Sequence, residues 1–136
     1  MMLEDNVSNY AEEAIINCTL RGVTFTGVNP YIALATADLG DADTTANEAK
    51  GGDFPAYARQ AVSFSDPAGS NSTSNGSAVS FPAFDGAAAQ TYSHIGIYDA
   101  LSGGNLLYHT PMNFNKTLTN GDVITFSAGS VTVTLD

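Results

Sequence analysis

One segment of the chain carries a helical period. Leu3, Val7, Tyr10, Ala14, Ile15 and Cys18 recur at spacings of three, four and seven, with Glu12, Glu13 and Asn17 on the other side. Asn9 followed by Glu12 forms a candidate capping box, and two glutamates suit the positive end of the helix dipole. Arg21-Gly22 is a stop signal: a cation in the last turn, then a residue free to turn left-handed. The pattern predicts a helix over about 8–21, anchored by Tyr10, Ala14 and Ile15. Its apolar stripe is expected on the chain's own sheet, with a neighbouring subunit as the alternative. On the first option, Ile15→Asp buries an unpaired charge and costs several kcal/mol.

After Gly22 the pattern changes to short runs separated by turn signals. Residues 31–36, 57–64, 78–81, 93–98, 105–109, 123–126 and 130–135 read as strands. The last is the clearest, with Val131, Val133 and Leu135 on one face and Ser130, Thr132 and Thr134 on the other. It predicts a C-terminal end tied into a sheet. Pro82 ends the third run. Gly103-Gly104 predicts a hairpin between the fourth and fifth, and Asn120-Gly121-Asp122 a turn before the sixth. The sum is a mainly β fold: one antiparallel β-sandwich or jelly-roll-like domain over 1–136, with a helical segment at 1–22 and a β domain at 23–136. Two polar stretches fall outside the scheme, 37–56 and the low-complexity 65–77. Both read as long loops with too little apolar area to order themselves.

Composition narrows the function classes. The chain has 136 residues, with 14 Asp and Glu against 4 Lys and Arg, for a net charge of −10. Arg21, Lys50, Arg59 and Lys116 cannot build a phosphate-neutralising stripe, so neither nucleic acid nor an acidic membrane surface is an expected partner. The lone Cys18 cannot close an internal disulfide or a thiolate zinc site. No run of 18 apolar residues occurs, and the start is acidic, unlike a signal peptide. Synthesis in the cytoplasm without secretion follows as an expectation. The Asn-X-Ser/Thr matches at Asn6, Asn17, Asn71, Asn75 and Asn115 then read as chance.

Candidate chemistry is sparse. Asp38, Asp41 and Asp43 lie close enough in sequence to attract a hard cation, but they lack the EF-hand spacing and its glycine. They read first as a solvated acidic loop. His94 and His109 stand on strands joined by a hairpin and could face each other, with Asp99 as an acid–base or metal partner. Hydrogen-bonded strand histidines are the commoner outcome. Asp85 and Asp99 are a nominal pair of carboxylates for glycoside hydrolysis. Phe64, Phe81, Tyr98, Tyr108 and Phe126 alternate within strands and read as core rather than as a sugar platform. No nucleophile motif or phosphate-binding loop is present. The expected site list is therefore empty: no catalytic, cofactor or metal residue.

Three ordered stretches carry a family resemblance: Met2–Asn17, Tyr57–Phe64 and Ser93–Tyr108. The tail, from Asn120-Gly-Asp to Leu135, continues it. Together they resemble a family of small tailed-bacteriophage virion proteins, commonly labelled tail fibre or structural protein. The resemblance implies a virion component made in the host cytoplasm, with other virion proteins as partners and no enzymatic activity. With no heptads or repeats for a shaft, the first reading is a capsid cement or decoration protein that clamps capsid subunits. Closed symmetry favours a homotrimer with the major capsid protein as partner. A tail fibre, tail tip or adaptor is the alternative, and a carbohydrate-binding module the next.

Overall fold

The computed structural model describes residues 7–135. Leu3 and Asn6 lie outside that range. Helix α1 spans Asn9–Leu20. Strands follow as β1 (Tyr31–Ala35), β2 (Gln60–Ala61), β3 (Ser72–Ser74), β4 (Val79–Ser80), β5 (Gln90–Tyr98), β6 (Leu106–Leu118), β7 (Thr125–Phe126) and β8 (Thr132–Thr134). All pairings are antiparallel, in a four-stranded sheet of order β2-β1-β5-β6 and two ribbons, β3-β8 and β4-β7. The fold is thus mainly β with one helix near the N-terminus, as the pattern predicts. Among the described residues no helix is long and apolar enough to cross a membrane.

The four-stranded sheet is covered on both faces. Ile32, Leu34, Tyr92, Ile95 and Ile97 point into the larger core, where Phe54, Phe81, Phe84, Phe126, Val131 and Val133 meet them. Each such large apolar side chain, once buried, contributes about 1.5–3 kcal/mol. Ala33, Ala35, Tyr98 and Leu106 face the other way, onto Leu39. Gly96 makes that second contact possible. A Cβ at this position would lie 2.5 Å from Leu39 Cδ1 and 3.0 Å from Leu106 Cδ1. Phe81, Tyr98 and Phe126 are buried and Phe64 and Tyr108 partly so, which matches their expected place in the core. Tyr92 buries a hydroxyl that has no hydrogen-bond partner.

Several local expectations are corrected. The helix starts one residue earlier than the Asn9–Glu12 signature implies. Ser8 is the N-cap, and its Oγ accepts from Ala11 N–H at 3.2 Å while donating to the Leu106 carbonyl. Ser8 wins because the Leu107 carbonyl also takes its N–H, at 3.0 Å, fixing its extended backbone against β6. The stop is as expected, with Arg21 at the C-cap and Gly22 at φ +67°.

The stretch 57–64 yields only a two-residue strand, because Arg59 turns inward to an ion pair. By contrast, β6 runs thirteen residues, well past the expected 105–109. Between the pairs His94↔Pro111 and Tyr92↔Lys116, β5 advances two residues and β6 five. The surplus bulges outward and leaves Phe114 74% exposed.

Neither polar stretch is a free loop. Within 65–77, β3 pairs with β8, and Asn75 is buried. Its amide donates to the Ser77 and Ser127 carbonyls, and its Oδ1 accepts from Val131 N–H, all at 2.9 Å. Backbone pairing with β8 and this buried amide together order a segment that has little apolar area.

The stretch 37–56 is tied down by buried Leu39, Ala49 and Phe54 and by a bridge from Ala35 to Glu48. It contains a short 3-10 turn at Thr45–Asn47.

Candidate functional site

The chemistry-bearing residues gather where residues 38–48 lie across β5 and β6. His109, on β6, is 3% exposed. Its Nδ1 lies 2.9 Å from Asp38 Oδ1 and its Nε2 2.9 Å from Asp41 Oδ1. Carboxylate oxygens only accept, so an imidazole that satisfies both must donate from both nitrogens. Asp38 also accepts from Gly40 N–H at 3.1 Å. That bond, with the His109 contact behind it and His94 nearby, holds the Asp38 carboxyl below its usual range despite slight burial. Asp43 stands at φ +59°, a region aspartate tolerates better than most residues, and accepts from Tyr98 Oη at 2.7 Å. Burial, then this carboxylate, pushes the Tyr98 phenol well up.

The three aspartates of the acidic loop are therefore engaged by protein donors, Asp38 and Asp41 by the two nitrogens of His109 and Asp43 by Tyr98. Asp38 and Asp41 hold the loop to β6, and Asp43 holds it to β5. Among the described residues no group of three or more His, Cys, Asp or Glu is placed to hold a metal ion.

Both histidines are hydrogen-bonded strand residues, the commoner outcome, and the alternative His94–His109–Asp99 cluster does not assemble. His109 sits opposite Gly96, while His94 lies opposite Pro111 and contacts Ser93 Oγ at 2.7 Å. Asp99 belongs to the hairpin turn, where it accepts from Asn105 N–H and Nδ2 at 2.7 and 2.9 Å. Asp85 accepts from Ala56 N–H at 3.0 Å in a different turn. The candidate carboxylates for glycoside chemistry are each occupied locally.

A second constellation is absent from the sequence reading. Arg59 is 6% exposed. Its Nε and Nη2 reach the two Glu48 oxygens at 2.8 Å each. Nη1 donates to the Ala100 and Gly103 carbonyls at 2.9 and 2.7 Å, and the guanidinium lies 3.5 Å over the Tyr98 ring. Tyr57 Oη adds a 2.8 Å bond to Glu48. Burial works against the charge, but the Glu48 bond and field more than offset it, so the Arg59 pKa rises. The fork geometry suits a bidentate carboxylate, a role lysine could not fill. The signal available in sequence was only that a chain with four cations places one inside an apolar run.

The surface offers two further features. A groove of about 420 Å³ runs between the β6 bulge and β7, lined by Met112, Phe114, Lys116, Val123 and Phe126 among others. Helix α1 touches the body along Ser8 and Ala11, with Ala14 and Asn17 half-buried, while Tyr10, Ile15, Ile16 and Leu20 are exposed. The expected anchoring by Tyr10, Ala14 and Ile15 on the chain's own sheet is thus not what forms. Small residues let the helix approach the β6 edge, and the large ones face away.

Comparison with curated proteins finds no match. Residues 6–134 match the family model described as Podophage GP4 fiber I protein gp80, and the chain belongs to that family of phage fibre and virion structural proteins.

Proposed function

We propose that the chain is a small fibre component of the tail of a short-tailed phage, joined through its exposed surfaces to copies of itself and to other virion proteins. The observation that carries this reading is the family match along residues 6–134, whose description names a fibre protein. The site geometry supports a structural role without catalytic, cofactor or metal residues. His109, Asp38, Asp41, Asp43, Arg59 and Glu48 are engaged in holding one loop and one turn against the sheet.

A cement or decoration role on the capsid is the second reading. It is favoured by the lack of a shaft among the described residues, whose helix has 12 residues and thus a length of about 18 Å. A homotrimer, placed at threefold positions of a shell, belongs to this reading.

Immunogold labelling of intact particles with an antibody to this chain separates the two. Gold confined to the tail, with adsorption lost when the chain is removed, is the expected result. Gold scattered over the head, with particles that rupture more readily when the chain is removed, would establish the cement role instead.

A further inference from the structure

The buried ring of His109 is shared by two carboxylates that reach water. The Asp38 and Asp41 side chains are 60% and 57% exposed. Hydrated carboxylates are ionised and only accept, so both donors belong to the ring. The two 2.9 Å contacts therefore describe an imidazolium. A neutral imidazole has one N–H. Its other nitrogen would set a lone pair against a carboxylate 2.9 Å away, and that contact must open.

The other ties of the loop decide which contact opens. The Asp38 carboxylate also accepts from Gly40 N–H, and its backbone carbonyl accepts from Asn47 Nδ2 at 2.7 Å. The Asp41 carboxylate has no donor but His109 among the described residues. The last ring proton therefore stays at Nδ1, on Asp38, and Asp41 is released. Buried Leu39 and Asp43, bonded to Tyr98, limit the swing on either side. Gly40, at φ +66°, supplies backbone freedom between them. Asp41 also holds the start of α1. Its carbonyl accepts from Asn9 N–H at 3.0 Å, one of the donors a helix cannot satisfy within itself.

The remaining charged and titratable neighbours have places of their own. On β5, His94 contacts Ser93 and sends its field to Asp38. Tyr98 is bonded to Asp43 and lies under Arg59, itself paired with Glu48. On α1, Tyr10 lines a cleft with Asp41 and Asp43, and Glu12 is exposed. Tyr108, next to His109 on β6, packs on the larger core instead.

We propose that His109 is a proton-gated latch. With a proton on each ring nitrogen it fastens residues 40–42 and the start of α1 to β6. With one proton removed, Asp41 leaves the ring and the Asn9 tie loosens with it. Mild acid closes the latch and mild base opens it, wherever in the particle the chain sits.

Nuclear magnetic resonance of the full chain tests it at about pH 5 and about pH 8, on either side of the ordinary imidazole range. Ring nitrogen shifts count the protons on His109. Amide exchange, corrected for the intrinsic rate at each pH, follows Asn9 and Asp43, whose N–H groups bond to the Asp41 and Gly40 carbonyls. The expected result is two ring protons at the lower pH and one at the higher. Asn9 and Asp43 then lose protection roughly tenfold, the scale of one charge-assisted hydrogen bond, and β5 keeps its own.

Two variants assign the step. Asp41→Asn abolishes it, because an amide can donate to the Nε2 lone pair and keep the loop shut on a neutral ring. His94→Gln leaves it in place. Equal protection at both pH values, a step that survives Asp41→Asn, or one that vanishes with His94→Gln overturns the proposal. So does a single ring proton at the lower pH with Asn9 protected, or a loss of protection that spreads through β5.

Discussion

The segment at 37–56 and the segment at 9–28 are opposites in sequence, and their structures invert what the sequences suggest. The first is acidic, rich in small residues and carries only scattered apolar positions. It is nevertheless fastened to the sheet by Leu39, Phe54, the His109 clamp and the Arg59–Glu48 pair. The second is apolar through Ile15, Ile16, Leu20, Val23 and Phe25, yet touches the body mainly through Ser8 and Ala11. Order in the first comes from a few directional contacts to buried partners. The second leaves most of its apolar area exposed. Mean polarity over a window therefore reports neither burial nor order here; what matters is whether each group finds a partner.

The contrast is broken most strongly at Arg59. Arg59→Met keeps much of the side-chain volume but leaves Glu48 half a pair and strips donors from the Ala100 and Gly103 carbonyls. Removing one partner of a buried ion pair costs about 3–5 kcal/mol. Denaturant melts should show that loss. The double variant Arg59→Met/Glu48→Leu should recover much of it, since the stranded carboxylate is gone. A single variant as stable as the wild type would show that the loop is held by its apolar residues alone.

His109→Ala comes next. It removes the donor shared by Asp38 and Asp41 and leaves two carboxylates facing a small cavity beneath the loop. Both aspartates stay largely hydrated, so the expected cost is smaller, about 1–3 kcal/mol. Hydrogen exchange should localise the change to residues 38–44 and spare the ribbons β3-β8 and β4-β7. Equal loss of protection throughout would mean that the clamp supports the whole core and not one loop.

The helix supplies the opposite arm of the comparison. A stripe packed on the sheet would make Ile15→Asp cost several kcal/mol. With Ile15 38% exposed, an aspartate can reach water, and the cost should fall to about 1 kcal/mol or less at concentrations where the chain is monomeric. A loss of 3 kcal/mol or more, on the scale of a buried charge, would place this side chain in a covered core after all.

Much of the architecture was legible where a local signal coincided with the tertiary outcome. The existence of α1, though not the burial of its apolar stripe, the Gly103-Gly104 hairpin (φ +63° and +69°) and the alternation through Val131 and Val133 all survive in the fold. What was hidden depended on partners far along the chain. The length of β6 could not be read from Asn113, Asn115 and Lys116, which are polar because they lie on an exposed edge. Ser72–Ser74 has no strand character of its own and becomes β3 through pairing with β8, sixty residues on.

The candidate site was half legible for the same reason. Asp38, Asp41 and Asp43 stood out as a group, and His109 stood out beside His94 and Asp99, not beside the acidic loop. Their pairing spans 71 and 68 residues, and nothing local joins them. Arg59 gave no sign that its partners would include the carbonyls of a turn 41 and 44 residues away. Read first as a solvated acidic loop, the aspartates instead find donors in the fold, two of them on the one imidazole of His109 and the third on Tyr98.

Acid should sharpen the comparison with the smallest effect. The Asp38 pKa is depressed in the folded chain, first by Gly40 N–H and then by His109. A carboxyl with a lowered folded pKa binds its proton more readily when unfolded. Its contribution is therefore fully present above the unfolded value of 3.8 and disappears as pH falls through the lower folded value. Because the Asp38 side chain is 60% exposed, solvent screening keeps this contribution small. Asp38→Asn retains an acceptor for Gly40 N–H and removes only the charge. The wild type should exceed this variant in melting temperature near neutral pH, and the gap should close below pH 3.8. A gap that stays constant down to low pH would mean that the shape of the loop, and not the charge facing His109, is what Asp38 provides.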